Sequence, residues 1–182
     1  RLGLSDVHGV YGLPRFHQAA QQAGIRPIVG ARVKLLGTQA RRRKSDPPSS
    51  SGQVSLLVKN LQGYRNLCRL LTLGHASYEK PHCRVTHEQL REHSSGLIAL
   101  VRDPKLAPLE DLFPASIFVE LQRNAHPDEE RLNHALLATG LPPVVTGGVR
   151  HARRKSKRLL DALTCLHHKT TLAKAGQLLT PN

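Results

Sequence analysis

The chain has 182 residues, 27 Lys+Arg against 13 Asp+Glu for a formal net charge of +14, and 39% hydrophobic residues. That suffices for one domain with its own core, while no apolar run approaches the roughly 20 residues of a membrane-spanning helix and no basic-then-apolar signal segment opens the chain. Aromatic residues make up only 3%, too few for a platform that stacks single-stranded bases. A polyanionic partner suits the charge, and a nucleic acid would be held through its phosphates with little sequence preference; the plain alternative is a solvated basic surface.

Leu2-Gly3-Leu4 reads as the tail of a strand whose beginning is missing. The absence of an initial Met fits a piece of a longer protein. Pro14 to Ala23 reads as a helix, with Pro14 in the first turn and Gly24 as its stop. Ile28 to Val33 and Val54 to Val58 read as strands. Asn60 can cap a helix whose Tyr64, Leu67, Cys68 and Leu71 share one face, ended by Gly74. Thr86-His87-Glu88-Gln89 is a capping box. Leu97 to Val101 and Ile117 to Leu121 are expected strands. Pro127-Asp128-Glu129-Glu130 opens a helix with acidic residues in its positive first turn and a core face of Leu132, Ala135, Leu136 and Thr139. Pro143 to Thr146 reads as a short buried strand. Ser156 can cap a last helix carrying Leu159, Leu163 and Leu166. This β-then-α alternation predicts an α/β domain with a largely parallel sheet or barrel, its chemistry on loops after the strands' carboxyl ends.

The stretch from about 38 to 53 is rich in Arg, Pro, Ser and Gly and is expected to be an exposed basic loop. Cys68, Cys83 and Cys165 show no CxxC spacing and no disulfide framework, so a reducing cytoplasm is the expected setting. Cys83 and His87 form the one tight ligand pair; no second pair among His75, His82 and His93 completes a zinc site, so these read as surface or capping histidines. No nucleophile elbow, P-loop or dinucleotide fingerprint occurs. Glu110-Asp111 and Asp128-Glu129-Glu130 fall at helix starts, where the helix dipole accounts for them. Arg41, Arg42, Arg43 and Lys44 on the loop, and Arg150, Arg153, Arg154, Lys155, Lys157 and Arg158 at a helix entry, are the candidate phosphate contacts for DNA.

Several strings carry a resemblance. Leu4-Ser5-Asp6-Val7-His8-Gly9-Val10-Tyr11-Gly12 resembles L-T-D-x-D-G-x-Y-G, and Gly24-Ile25-Arg26-Pro27-Ile28-Val29-Gly30-Ala31 resembles G-x-x-P-I-x-G-A-E. Gly63-Tyr64-Arg65-Asn66-Leu67-Cys68-Arg69-Leu70, Gly96-Leu97-Ile98-Ala99-Leu100, Val119-Glu120-Leu121-Gln122-Arg123, Asp161-Ala162-Leu163-Thr164-Cys165-Leu166 and Leu179-Thr180-Pro181-Asn182 follow in the same order. All are similar to the PHP domain of bacterial C-family DNA polymerases, the error-prone and DNA polymerase III alpha types. The resemblance implies a distorted seven-stranded β/α barrel, with residues 1–182 a partial PHP domain whose first strand region is missing. It implies the polymerase core of the same parent chain as partner. Gly148-Val149-Arg150 and His168-Lys169-Thr170-Thr171-Leu172 with Ala175-Gly176 lean toward the error-prone branch.

Active members of that family hold divalent metals, Zn or Mn, with His, Asp, Glu and Cys at strand ends. Asp6 matches the family Asp, and His8 stands where Asp is usual, leaving these two as a remnant of the site. Val7 replaces the common His, Arg32 the Glu of G-A-E, and Gly148 and Arg150 the Asp and His of a late D-x-H; no Cys follows the G-L-I-A-L strand. A guanidinium cannot donate a lone pair to a metal, so Arg32 and Arg150 are expected to occupy the former pocket, pairing with Asp6 or binding phosphate, with no cofactor held. The expected function is a non-catalytic PHP module bracing a polymerase used in DNA repair synthesis or replication. The alternatives are a metal-dependent phosphoesterase, either proofreading exonuclease or histidinol-phosphatase-like, and a decayed gene fragment.

Overall fold

The computed structural model describes residues 1–36, 50–76, 83–124 and 127–179. The first strand, β1 (Leu2–Val7), runs into α1 (Leu13–Gln22), which has Pro14 in its first turn and stops before Gly24 at φ +64°, a left-handed position that suits glycine. Next comes β2 (Pro27–Leu36), parallel to β1. β3 (Ser50–Val58) returns antiparallel to β2 and leads to α2 (Leu61–Ala76), where the Asn60 side-chain oxygen accepts from the Gly63 N–H at 2.9 Å. β4 (Arg84–Val85) pairs with the end of β2. α3 (His87–Glu92) begins with both bonds of the capping box: Gln89 N–H donates to Thr86 Oγ1 at 3.1 Å and Thr86 N–H to Gln89 Oε1 at 2.9 Å. β5 (Leu97–Val101), a 3-10 segment (Pro104–Leu112), β6 (Ile117–Leu121), α4 (Glu129–Leu137), β7 (Pro143–Val145), α5 (Lys157–His167) and α6 (Leu172–Ala175) complete the order. The strands form one curled seven-stranded sheet, β1-β2-β3-β5-β6-β7 with β4 on β2, which is the expected distorted β/α barrel type.

Strand pleating divides the sheet into two unlike faces. Ala31, Val33 and Leu35 of β2, Val54 and Leu56 of β3, Leu97, Ala99 and Val101 of β5, and Ile117 and Val119 of β6 are buried in a single core. Leu67, Leu70 and Leu71 of α2, Leu90 of α3, Leu136 of α4 and Phe113 join the same cluster. Full burial of such a side chain stabilises by about 1.5–3 kcal/mol. The alternate residues, among them Arg32, Ser55, Leu100, Phe118 and Glu120, point to the other face.

Several local expectations change. Gly74 does not end its helix: α2 continues to Ala76, and Gly74 is buried where a Cβ would lie 2.7 Å from Cys83 Sγ. Its small size lets α2 press on the start of β4. The buried side of α2 is Gly63, Asn66, Leu67, Leu70 and Leu71, while Tyr64 faces out. In α4 only Leu136 of the expected core face is fully buried; Leu132 is half-buried, Ala135 is exposed and Thr139 lies past the helix. β7 is an edge strand, and Val145 is 78% exposed rather than buried. Ser156 makes no side-chain cap bond to α5, and Leu159, Leu163 and Leu166 are all exposed.

Candidate functional site

β1 is parallel to β2, β2 antiparallel to β3, β3 antiparallel to β5, and β5 parallel to β6 and β6 to β7. Hence β1, β2, β5, β6 and β7 point the same way, and their carboxyl ends share one rim of the sheet. On that rim, at the β5–β6–β7 side, lies a connected polar network built from residues next to apolar strands. Glu120 and Gln122, two apart on β6 and just past it, sit on the same face and are 6% and 8% exposed. The Thr146 hydroxyl donates to Glu120 Oε1 at 2.6 Å, and Gln122 Nε2 donates to the same oxygen at 3.0 Å and to Thr146 Oγ1 at 3.2 Å. Asn124 Nδ2 donates to Gln122 Oε1 at 3.3 Å, and Asn133 Nδ2 to the Gln122 carbonyl at 2.8 Å.

The network continues through a cation. Arg102, the first residue past β5, donates to the Glu120 carbonyl at 3.4 Å and forms an ion pair with Glu129 at 3.2 Å. Glu129 Oε2 also accepts from the Asn124 N–H at 2.5 Å. Glu129 is therefore more than a favourable charge at the start of α4; its buried carboxylate ties α4 to β5 and to the loop after β6.

The other rim residues are spread out. Asp6 pairs in register with Ala31 and Val7 with Arg32, so Asp6 shares the helix-covered side with Ala31 while Arg32 lies on the opposite face. The expected Asp6–Arg32 pairing is replaced by separate partners. Asp6 Oδ2 accepts from the Gly12 N–H at 2.7 Å, and Arg32 Nε donates to the buried Ser55 hydroxyl at 3.4 Å. His8 has φ +59°, its N–H donates to the Arg32 carbonyl at 2.8 Å, and its carbonyl accepts from His75 Nε2 at 2.7 Å. Because a carbonyl can only accept, the His75 proton is on Nε2. Gly148 has φ +56°, and a Cβ there would lie 2.8 Å from Gln122 Oε1. Gln122 thus fills the space into which an Asp of a D-x-H motif would project. Arg150 is exposed, not enclosed in a pocket.

Of the basic residues, Arg153, Arg154, Lys155 and Arg158 are exposed at the entry to α5, whereas Lys157 is bound to Asp161 at 2.6 Å. Arg41, Arg42, Arg43, Lys44 and His82 lie outside the described residues. Cys83 is buried, which pushes its thiol pKa up. Tyr64 is also pushed up, chiefly by its hydrogen bond with Cys68.

The donor set among the described residues does not fit a cluster of divalent ions. Among the described residues no group of three or more His, Cys, Asp or Glu converges. One Asp6 oxygen is taken by a backbone amide, Glu120 Oε1 accepts from two neutral donors, and two guanidinium groups, Arg32 and Arg102, stand by the strand ends. Sequence reasoning missed Arg102, Glu120, Gln122, Asn124, Glu129 and Thr146 as members of one network. The available signal was the alternation of Glu120 and Gln122 at the end of an otherwise apolar strand and just past it, a buried polar pair that must be satisfied by neighbours.

The chain belongs to the PHP domain family, which its residues 1–136 match. It is 31% identical over 191 residues to the error-prone DNA polymerase of Pseudomonas aeruginosa and 31% over 197 to that of Anaeromyxobacter dehalogenans, in each case across 100% of this chain. It is 28% identical over 197 residues to the DNA polymerase III subunit alpha of Thermus aquaticus, across 94% of this chain. The chain spans 16–17% of the length of these relatives. No helix among the described residues is long and apolar enough to cross a membrane.

Proposed function

We propose that residues 1–182 act as one PHP module of a longer cytoplasmic DNA polymerase of the error-prone or DNA polymerase III alpha type, bracing the polymerase core during repair synthesis or replication without hydrolysing phosphoesters. The observation that carries the reading is that, among the described residues, no three His, Cys, Asp or Glu side chains converge, while the guanidinium groups of Arg32 and Arg102 stand by the strand ends. Hydrolysis in such a site needs metal ions to bind the phosphate and lower the pKa of water. Guanidinium groups, which have no lone pair to donate, supply no such ligand shell.

Two measurements test it. Sequencing the coding DNA on both sides of Arg1 and Asn182 is expected to continue the frame into a segment with clustered catalytic Asp residues; an immediate stop codon would remove the polymerase reading. Elemental analysis of the purified protein is expected to find no stoichiometric Zn or Mn, and added Mn should not induce cleavage of p-nitrophenyl phosphate. Two tightly held ions per chain, or metal-dependent turnover, would restore the phosphoesterase reading.

DNA contact is a companion role, favoured by the exposed Arg153, Arg154, Lys155 and Arg158 at a helix entry. Changing these four to Ser is expected to weaken DNA binding uniformly across sequences. The slope of log affinity against log salt should become shallower by about one for each DNA phosphate that the protein no longer neutralises. An unchanged slope removes the cluster from DNA binding.

A further inference from the structure

We infer that the leucine face of α5 is a docking surface for another region of the same longer polypeptide, one with an apolar patch bordered by acidic residues. This rests on the reading that the chain is one module of a polymerase-type protein. The observation is the orientation of the helix. At about 100° per residue, Leu159, Leu163 and Leu166 fall on one side, and they are 63%, 54% and 75% exposed. The opposite side carries Cys165, the half-buried Thr164 and the Lys157–Asp161 ion pair, and that is the side turned to the domain. A surface helix of an independent domain does the reverse, burying its apolar stripe. Scattered exposed leucines need no explanation; a stripe does.

The place of this surplus in the chain points to its occupant. The match to the PHP family covers residues 1–136, whereas the polymerase relatives align with the whole chain. The stripe Leu159, Leu163 and Leu166 lies beyond residue 136, although single large apolar residues such as Tyr11 and Leu61 are also exposed before it. The unpartnered surface therefore belongs to the part shared with polymerases rather than the part that defines PHP domains at large.

Charge narrows the chemistry. Residues 138–179 hold eight Lys or Arg and a single acidic residue, Asp161, which Lys157 already pairs. Arg158 stands beside the stripe. A second copy of the same face would set basic border against basic border, because a two-fold interface is self-complementary. A nucleic acid held through its phosphates would meet the charges, but that backbone offers no apolar surface to cover three leucines. An apolar patch with an acidic border satisfies both.

The test places the photoreactive p-benzoyl-phenylalanine at Leu163 in the polypeptide as its gene encodes it, with the same group at the exposed Gln18 as reference. After irradiation in cells, crosslinked peptides are sequenced by mass spectrometry. Expected is roughly tenfold more crosslinking from position 163 than from 18, as for a contact that excludes water, and joined to peptides of the same polypeptide outside residues 1–182 that contain Asp or Glu. Adding Leu159→Glu should abolish it while circular dichroism stays unchanged. Crosslinks to residues 1–182 of a second copy, to DNA, to another protein, or at the level of position 18 overturn the inference. The intact mass of the unirradiated polypeptide is read separately. A product of 182 residues overturns the polymerase reading itself, and a longer product without the crosslink overturns only the docking face.

Discussion

Replacing Arg102 by Ala is expected to lower the unfolding free energy by about 2–3 kcal/mol, because it leaves the buried Glu129 carboxylate without its cation. Arg102 is 28% exposed and Glu129 8%, so the cost falls below that of a fully enclosed pair. Glu129 keeps the Asn124 amide and the start of α4 as favourable neighbours. For a domain of this size the loss corresponds to roughly 4–12 °C in Tm. Urea denaturation is the direct measurement. The paired change Arg102→Met with Glu129→Leu should recover much of the loss, since removing both charges strands neither. A double variant as unstable as the single one would mean that Arg102 acts through packing and not through charge.

Gly63→Ala should cost at least as much, about 3 kcal/mol, read from the same kind of denaturation curve. A Cβ on Gly63 would overlap the carbonyl of Gly96, which itself has φ +76° and cannot move aside without straining the turn into β5. The clash is with backbone, so no rotamer change relieves it. The neighbouring change Arg65→Ala on the exposed side of α2 is the reference and should shift stability by less than about 0.5 kcal/mol. Equal effects at the two positions would show that helix propensity, not close approach to Gly96, sets the result.

Most of the elements were legible from the sequence, because alternation, caps and breakers act locally. The Asn60 cap and the Thr86–Gln89 box are contained within four residues, and both form as expected. Less legible was anything that depends on what lies across the sheet. Gly74 looked like a helix stop, yet its role is set by Cys83 arriving from another element. Glu129 looked like a dipole-favoured helix start, and only the position of Arg102, one residue past a strand 27 positions earlier, gives it a buried partner. Of the two roles expected of Arg32, pairing with Asp6 or binding phosphate, the first fails because a one-residue offset in register puts the two side chains on opposite faces. The leucines of α5 carry a correct helical period, and a period says which residues share a side without saying whether that side meets this domain or another surface.

The position of β2 has a consequence for the order in which the molecule assembles and how unevenly it opens. β2 hydrogen-bonds to β1, β3 and β4, and its seven register pairs with β3 join strands separated by only 13 residues of chain. That pairing closes the shortest loop between strands in the main run and so carries a small entropic cost. β7 has three residues, pairs among the described residues with β6 alone, and is held in addition by Thr146 reaching Glu120. Amide protons should therefore exchange with solvent in a gradient: slowest in β2 and β3, which open only with the whole domain, and fastest in β7, which can peel away from the rim while the rest of the sheet stays shut.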